Sequence, residues 1–140
     1  MSKSVYDVVE ETLHLSKTIH PIDGGREFFH QNEIIEWLPP GWHVLVHRMF
    51  DFLSVYPGGI VGVWVSRGRL ILNGVDFKYP QHNFVNRVAH TIAGDSASIC
   101  MISGQAGIRR KSVRGWPCLS HHAYISYLNE APSQDLPNGI

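Results

Sequence analysis

Cys100-x2-Ser103, then fourteen residues, then Cys118-x2-His121 is a set of side chains whose types and spacing suit a metal ion. Zinc in a closed structural site takes four nitrogen or sulfur donors in a tetrahedron, usually two from each of two tight turns. Cys100, Cys118 and His121 supply three such donors, and Ser103 stands where a fourth thiolate would sit. A hydroxyl gives up its proton far less readily than a thiol, so it does not equal a thiolate in affinity. The expectation is a structural zinc knuckle with a weakened fourth position, filled by Ser103, water or His122, whose zinc is open to loss. The same residues also suit a metal-free pair of turns held by Trp116 and apolar packing. Gly104 and Gly107 are expected at positive φ in those turns.

Three further groups invite chemistry. His43, His47 and Asp51 recur every four residues on one helical face, with reach to share a cation or form an acid–base pair. They lie opposite much of the apolar stripe of that helix, so solvated side chains are the expected outcome. Arg109, Arg110, Lys111 and Arg114 form a basic run beside Trp116, suited to phosphates or to an acidic protein. Trp37, just before two prolines, has the character of an interface anchor, while Trp42 and Trp64 read as core. Ser120-His121-His122 is only adjacent in sequence, which does not orient an imidazole toward a hydroxyl. Pro57-Gly58-Gly59 precedes a strand, whereas phosphate cradles open a helix. No nucleophile–base pair is evident, and a non-enzymatic protein is expected.

The elements that must position these residues follow from hydrophobic period. Ser4 and Asp7 make a capping pair for a first helix whose apolar positions run from Val5 to Ile19, ended by Pro21 and Asp23-Gly24-Gly25. A second helix is expected over residues 31–38 and a third over 41–55, with Trp42, Leu45, Val46, Met49 and Leu53 inward. The period then changes to two. Residues 60–65 and 69–73 predict a hairpin turning at Arg67-Gly68, with Val61, Val63 and Val65 on one face and Ile60 and Trp64 on the other. A short strand over 75–79 and a helix from Pro80 to Ile92 come next, the latter facing inward through Phe84, Val85, Val88 and Ile92. Ser120 caps a last helix ending at Leu128.

The totals are consistent with one domain. The chain has 140 residues, 44% of them hydrophobic, and twelve cationic side chains against twelve acidic ones. A neutral balance argues against a dedicated nucleic-acid binder. Two cysteines argue against a disulfide scaffold, and the acids near the N-terminus argue against a signal peptide. A cytoplasmic protein without a membrane span is expected.

Pro39-Pro40-Gly41-Trp42, together with Ser98, Cys100, Gly104, Gly107, Gly115, Trp116, Cys118 and His121, resembles a bacterial family of small proteins. Its members share a Pro-Pro-Gly-Trp helix start, a strand rich in Lys, Gly and Arg, a helix, and a terminal knuckle reading C-x2-C-G-x-P-G, a basic stretch, G-W and C-x2-H. The likeness spans residues 39–123. It departs at Ser103 for the second cysteine, at Ala106 for the proline, and in the strand motif, which persists only as Ser66-Arg67-Gly68-Arg69-Leu70. The resemblance implies a fold and a structural metal site; it implies no reaction.

The expected fold class is α+β. A small antiparallel sheet, a hairpin or three strands, packs against helices and is closed by the knuckle. Residues 1–128 form the domain, with the knuckle at 98–123 and a flexible tail at 129–140. The expected function is non-enzymatic protein binding by an immunity- or antitoxin-like inhibitor that occludes a bacterial toxin. Arg109, Arg110, Lys111, Arg114, Trp116 and Trp37 form the expected contact surface. The alternative is a nucleic-acid-binding zinc ribbon, regulatory or phage-derived.

Overall fold

The computed structural model describes residues 3–19, 27–111 and 115–132. The predicted turn at 21–25 and Arg114 lie outside them. Helix α1 (Val5–Leu13) begins as its sequence dictates, with the Ser4 hydroxyl accepting the Asp7 N–H at 3.1 Å. It stops at Leu13, not at Ile19. Ser16–Thr18 instead form strand β1, antiparallel to β2 (Gly58–Ser66), and the Ile19 N–H extends that ladder to the Val61 carbonyl. Ser and β-branched residues gain little as a helix end, whereas an adjacent strand satisfies their backbone directly. Lys17 blunts this outer strand against further pairing.

Helix α2 (Gln31–Trp37) ends before Pro39, and a 3₁₀ turn at Pro40–Trp42 leads into α3 (His43–Leu53). Trp42, Leu45, Val46 and Met49 are buried as predicted, and Leu53 is half-buried. The shared backbone of the two helices is thus set by two prolines that pre-fix φ at a helix entry.

Strands β2 and β3 (Arg69–Asp76) form the predicted hairpin. Arg67 and Gly68 both take positive φ, +53° and +77°, as a two-residue turn matching strand twist requires. The sheet order is β1-β2-β3. Side-chain alternation along β2 departs from expectation. A bulge between Ile60 and Gly62 shifts the register, so Ile60 and Val63 both face the core while Trp64, read as core, is half-buried with Val61 and Val65. One extra residue reverses the facing of everything after it. The expected strand at 75–79 reduces to Val75 and Asp76, which finish β3.

Helix α4 runs Phe84–Gly94, four residues later than Pro80 predicts, because Asn83 breaks the entry with φ +51° after a 3₁₀ turn. It buries Val85, Ala89, Ile92 and Ala93; Val88 is half-buried and Phe84 is exposed. Side chains of this segment satisfy the outer edge of β3: Ser96 Oγ accepts the Leu70 N–H at 2.7 Å and Asn86 Oδ1 accepts the Gly74 N–H at 3.0 Å. Strands β4 (Ile108–Arg109) and β5 (Cys118–Leu119) pair antiparallel, and α5 (His121–Glu130) follows, capped by Ser120. Helix α5 passes the predicted end at Leu128, so residues 129 and 130 are helical; positions 133–140 of the expected tail lie outside the described residues. Helix α1 lies on α5, with Tyr6 and Tyr127 stacked at 5.6 Å and the Tyr6 N–H donating to Glu130 Oε2 at 3.0 Å. The architecture is α+β. Among the described residues no helix is long and apolar enough to cross a membrane.

Candidate functional site: the knuckle and the basic groove beside it

The knuckle begins after a 3₁₀ turn at Asp95–Ser98. The Cys100 N–H donates to the Gln105 carbonyl at 2.7 Å, the Gly104 N–H returns to the Cys100 carbonyl at 2.9 Å, and the Met101 N–H reaches the Cys118 carbonyl at 3.0 Å. Two turns therefore meet, and the Pro-Pro-Gly-Trp segment is bound to them. The Gly41 N–H donates to the Met101 carbonyl at 2.8 Å and Trp42 Nε1 to the Ile99 carbonyl at 3.0 Å. Gly104 takes φ +78°, as predicted; Gly107 does not take positive φ, and its glycine serves close approach to the Cys100 backbone.

Both cysteines are buried and unoxidised. Burial raises the Cys100 thiol, but hydrogen bonds from Ser103 and Ser120 outweigh it and bring the group down from 9.0 to about 7. The Ser103 N–H contributes at 3.5 Å. Cys118 is pushed up to about 11 by burial and by the neighbouring Cys100, and its thiol donates to the Ala97 carbonyl at 3.4 Å. The structure therefore gathers Cys100, Cys118, Ser103 and Ser120. Ser120 was read from the sequence as a helix cap and not as a neighbour of the thiols, although Cys118-x-Ser120 is the two-residue spacing that puts side chains on one side of a strand.

Two thiols and two hydroxyls fall short of the four nitrogen or sulfur donors of a closed zinc site. His121 and His122 are exposed at the start of α5, and among the described residues no three His, Cys, Asp or Glu side chains gather closely enough to hold a metal. Cys100 and Cys118 are the thiols zinc would use. The thiols titrate in two separated steps. Between about pH 7 and 9 the folded chain has released a Cys100 proton that the unfolded chain retains, so this group adds stability as pH rises and loses it as pH falls through 7. Between about pH 9 and 11 Cys118 acts in the opposite direction, because the folded chain keeps its proton. Thiolate absorbance in the ultraviolet is expected to show one step near pH 7, abolished in Cys100→Ser; a single step near 9 for both thiols would contradict the arrangement.

The histidine stripe of α3 does not converge. His43 Nε2 contacts the Leu38 carbonyl at 3.0 Å, His47 Nδ1 contacts Gln31 Nε2 at 3.1 Å, and Asp51 is exposed. Ser120 Oγ is engaged as a helix cap, accepting the Ala123 N–H.

The basic run divides. Arg110 lies 5.1 Å over the Tyr124 ring and donates to the Leu119 carbonyl at 3.3 Å, tying the hairpin to α5. Arg109 and Lys111 are exposed, as are Ile108 at 59% and Trp116 at 46%. Trp37 belongs to other contacts: it is edge-on to Phe29 at 4.9 Å, with the Lys17 ammonium 5.4 Å over its ring. Arg109 instead joins residues that the sequence reading did not assign to a site. It donates to the Arg67 carbonyl at 3.4 Å and lines a groove of about 520 Å³ with Ser66, Arg67, Arg69 and His90. The β2–β3 turn reaches this place because Gly68 lies against the Trp116 carbonyl, where a Cβ would come within 1.5 Å. The available signal was Arg67-Gly68-Arg69, two guanidiniums bracketing a tight turn. No family model, curated protein or solved structure matches this chain.

Proposed function

We propose that the protein is a non-enzymatic binding protein that occludes a protein partner, in its most specific form an immunity- or antitoxin-like inhibitor of a bacterial toxin in the cytoplasm. The observation that supports this reading is the surface of the β4–β5 hairpin, where Trp116 and Ile108 stand exposed beside Arg109 and Lys111. Trp and Arg are the side chains that most often carry binding energy, and an apolar pair ringed by cations suits an acidic protein face. Such occlusion would cover roughly 800 Å² of this chain. Arg110 supports the hairpin from behind through Tyr124, so it belongs to the framework of the surface.

The test is co-purification from the native host, followed by titration of the captured partner with the wild type and with Trp116→Ala. Loss of Trp116 is expected to weaken binding about thirtyfold, the effect of removing about 2 kcal/mol. Unchanged affinity in both Trp116→Ala and Arg109→Ala would remove this surface from the function. Trp116 beside arginines also favours a second reading, stacking on a single-stranded nucleic acid. That reading requires direct oligonucleotide binding whose affinity falls log-linearly with salt.

A further inference from the structure

We infer that the groove between the β2–β3 turn, β4 and α4 is a binding site for the phosphate group of a small phosphorylated molecule, of about mononucleotide size. Three arginines line it from three places in the chain: Arg67 from the turn, Arg69 from β3 and Arg109 from β4. Ser66 and His90 complete its polar lining, and among the described residues no Asp or Glu is part of it. The ion pairs formed among the described residues are Lys3–Glu11 and Arg48–Asp95, so none of the three arginines pairs with a carboxylate of those residues. A chain of zero net charge has placed three of its twelve cations around one concavity. Like charges brought together without a counter-ion repel one another, and a dianion between them converts that repulsion into attraction.

The number of donors favours phosphate over a simple carboxylate. A guanidinium presents paired N–H donors that match two oxygens of a phosphate, and three of them with a hydroxyl suit an anion having three terminal oxygens. His90 is oriented for this surrounding by its contact with Asn73, Nε2 to Oδ1 at 2.8 Å. Arg67 adds a separate sign. It occupies the left-handed region at φ +53° in the first turn position, where Asn, Asp or Gly would sit without strain. An arginine held there brings a cation to the turn that lines the groove. The volume, about 520 Å³, lies within the range of small-molecule sites. Outside the groove the chain holds nine cationic side chains against twelve acidic ones, a balance that favours a discrete ligand over a nucleic-acid strand.

This inference does not rest on the protein-partner reading. Arg67, Arg69, Ser66 and His90 lie outside the surface proposed there, and Arg109 alone is common to both. The experiment is calorimetric titration at fixed ionic strength with inorganic phosphate, pyrophosphate, a nucleoside monophosphate and a single-stranded oligonucleotide. Wild type, Arg69→Gln, Arg67→Gln and Trp116→Ala are compared, each checked for native circular dichroism and melting. The expected result is saturable binding of phosphate and tighter binding of the nucleoside monophosphate. Either arginine substitution is expected to weaken both about tenfold or more, and Trp116→Ala to change neither. Absence of saturable phosphate and nucleotide binding would overturn the inference, as would equal affinity in the two folded arginine variants. Binding of the oligonucleotide with phosphate and mononucleotide silent would overturn it too, in favour of a polyanion surface.

Discussion

Alanine at Gly41 is expected to lower stability by about 3 kcal/mol and the melting temperature by roughly 10 °C. A Cβ built there lies 2.0 Å from the Cys100 carbonyl oxygen and 2.7 Å from the Gly104 N. All the opposing atoms belong to backbone, so no side-chain rotation relieves the overlap. The 3₁₀ turn at Pro40–Trp42 would have to retreat from the knuckle, stretching the Gly41–Met101 and Trp42–Ile99 hydrogen bonds. Each such bond contributes about 1 kcal/mol, and Trp42, fully buried, would lose packing as it moves. A thermal melt of Gly41→Ala superimposable on the wild type would refute the described contact between the two segments.

Asp76→Ala is expected to cost about 4 kcal/mol. The carboxylate is 3% exposed and accepts the Val85 N–H at 2.7 Å, the Phe84 N–H at 3.3 Å and the Tyr56 hydroxyl at 3.1 Å. Removing it leaves two N–H groups at the start of α4 without their acceptor and takes a negative charge from the positive end of the helix dipole. It would also release Tyr56. That phenol is raised above its usual 10.0 by burial and by its hydrogen bond to Asp76. Two readings are therefore coupled: denaturant unfolding should show the lost stability, and spectrophotometric titration should bring the Tyr56 phenol back toward 10. Asp76→Asn, which keeps one acceptor oxygen, should fall between. Full stability of Asp76→Ala would mean that α4 is anchored by its apolar face alone.

The parts of this structure visible in the sequence are those that depend on near neighbours. The Ser4 cap, the Arg67-Gly68 turn, the inward stripe of α3 and the Ser120 cap each lie within a few residues and follow from local geometry. β1 was hidden because its pairing comes from β2, some 45 residues away, and tertiary pairing overrode a helical period that had already weakened after Leu13. Trp64 was misplaced by a single bulge residue, for which Ile60-Val61-Gly62 gives no strong sign beyond its glycine. The two halves of the family-like pattern, at 39–42 and 98–121, could be read separately, but not their contact. The arginine groove was invisible for the same reason: its members come from four elements, and only folding brings Arg109 to the turn at Arg67.

The stacking of Tyr6 on Tyr127 governs how the chain is made. Helix α1 precedes α5 in synthesis, yet part of the surface it covers is encoded more than a hundred residues later, in that helix. Until α5 leaves the exit tunnel, Tyr6 lacks its stacking contact with Tyr127 and Glu10 lacks the Tyr127 hydroxyl. The contact between α1 and α5 therefore forms late, and a nascent chain stalled before Ser120 should yield its N-terminal segment to protease while the β2–β3–α4 unit resists.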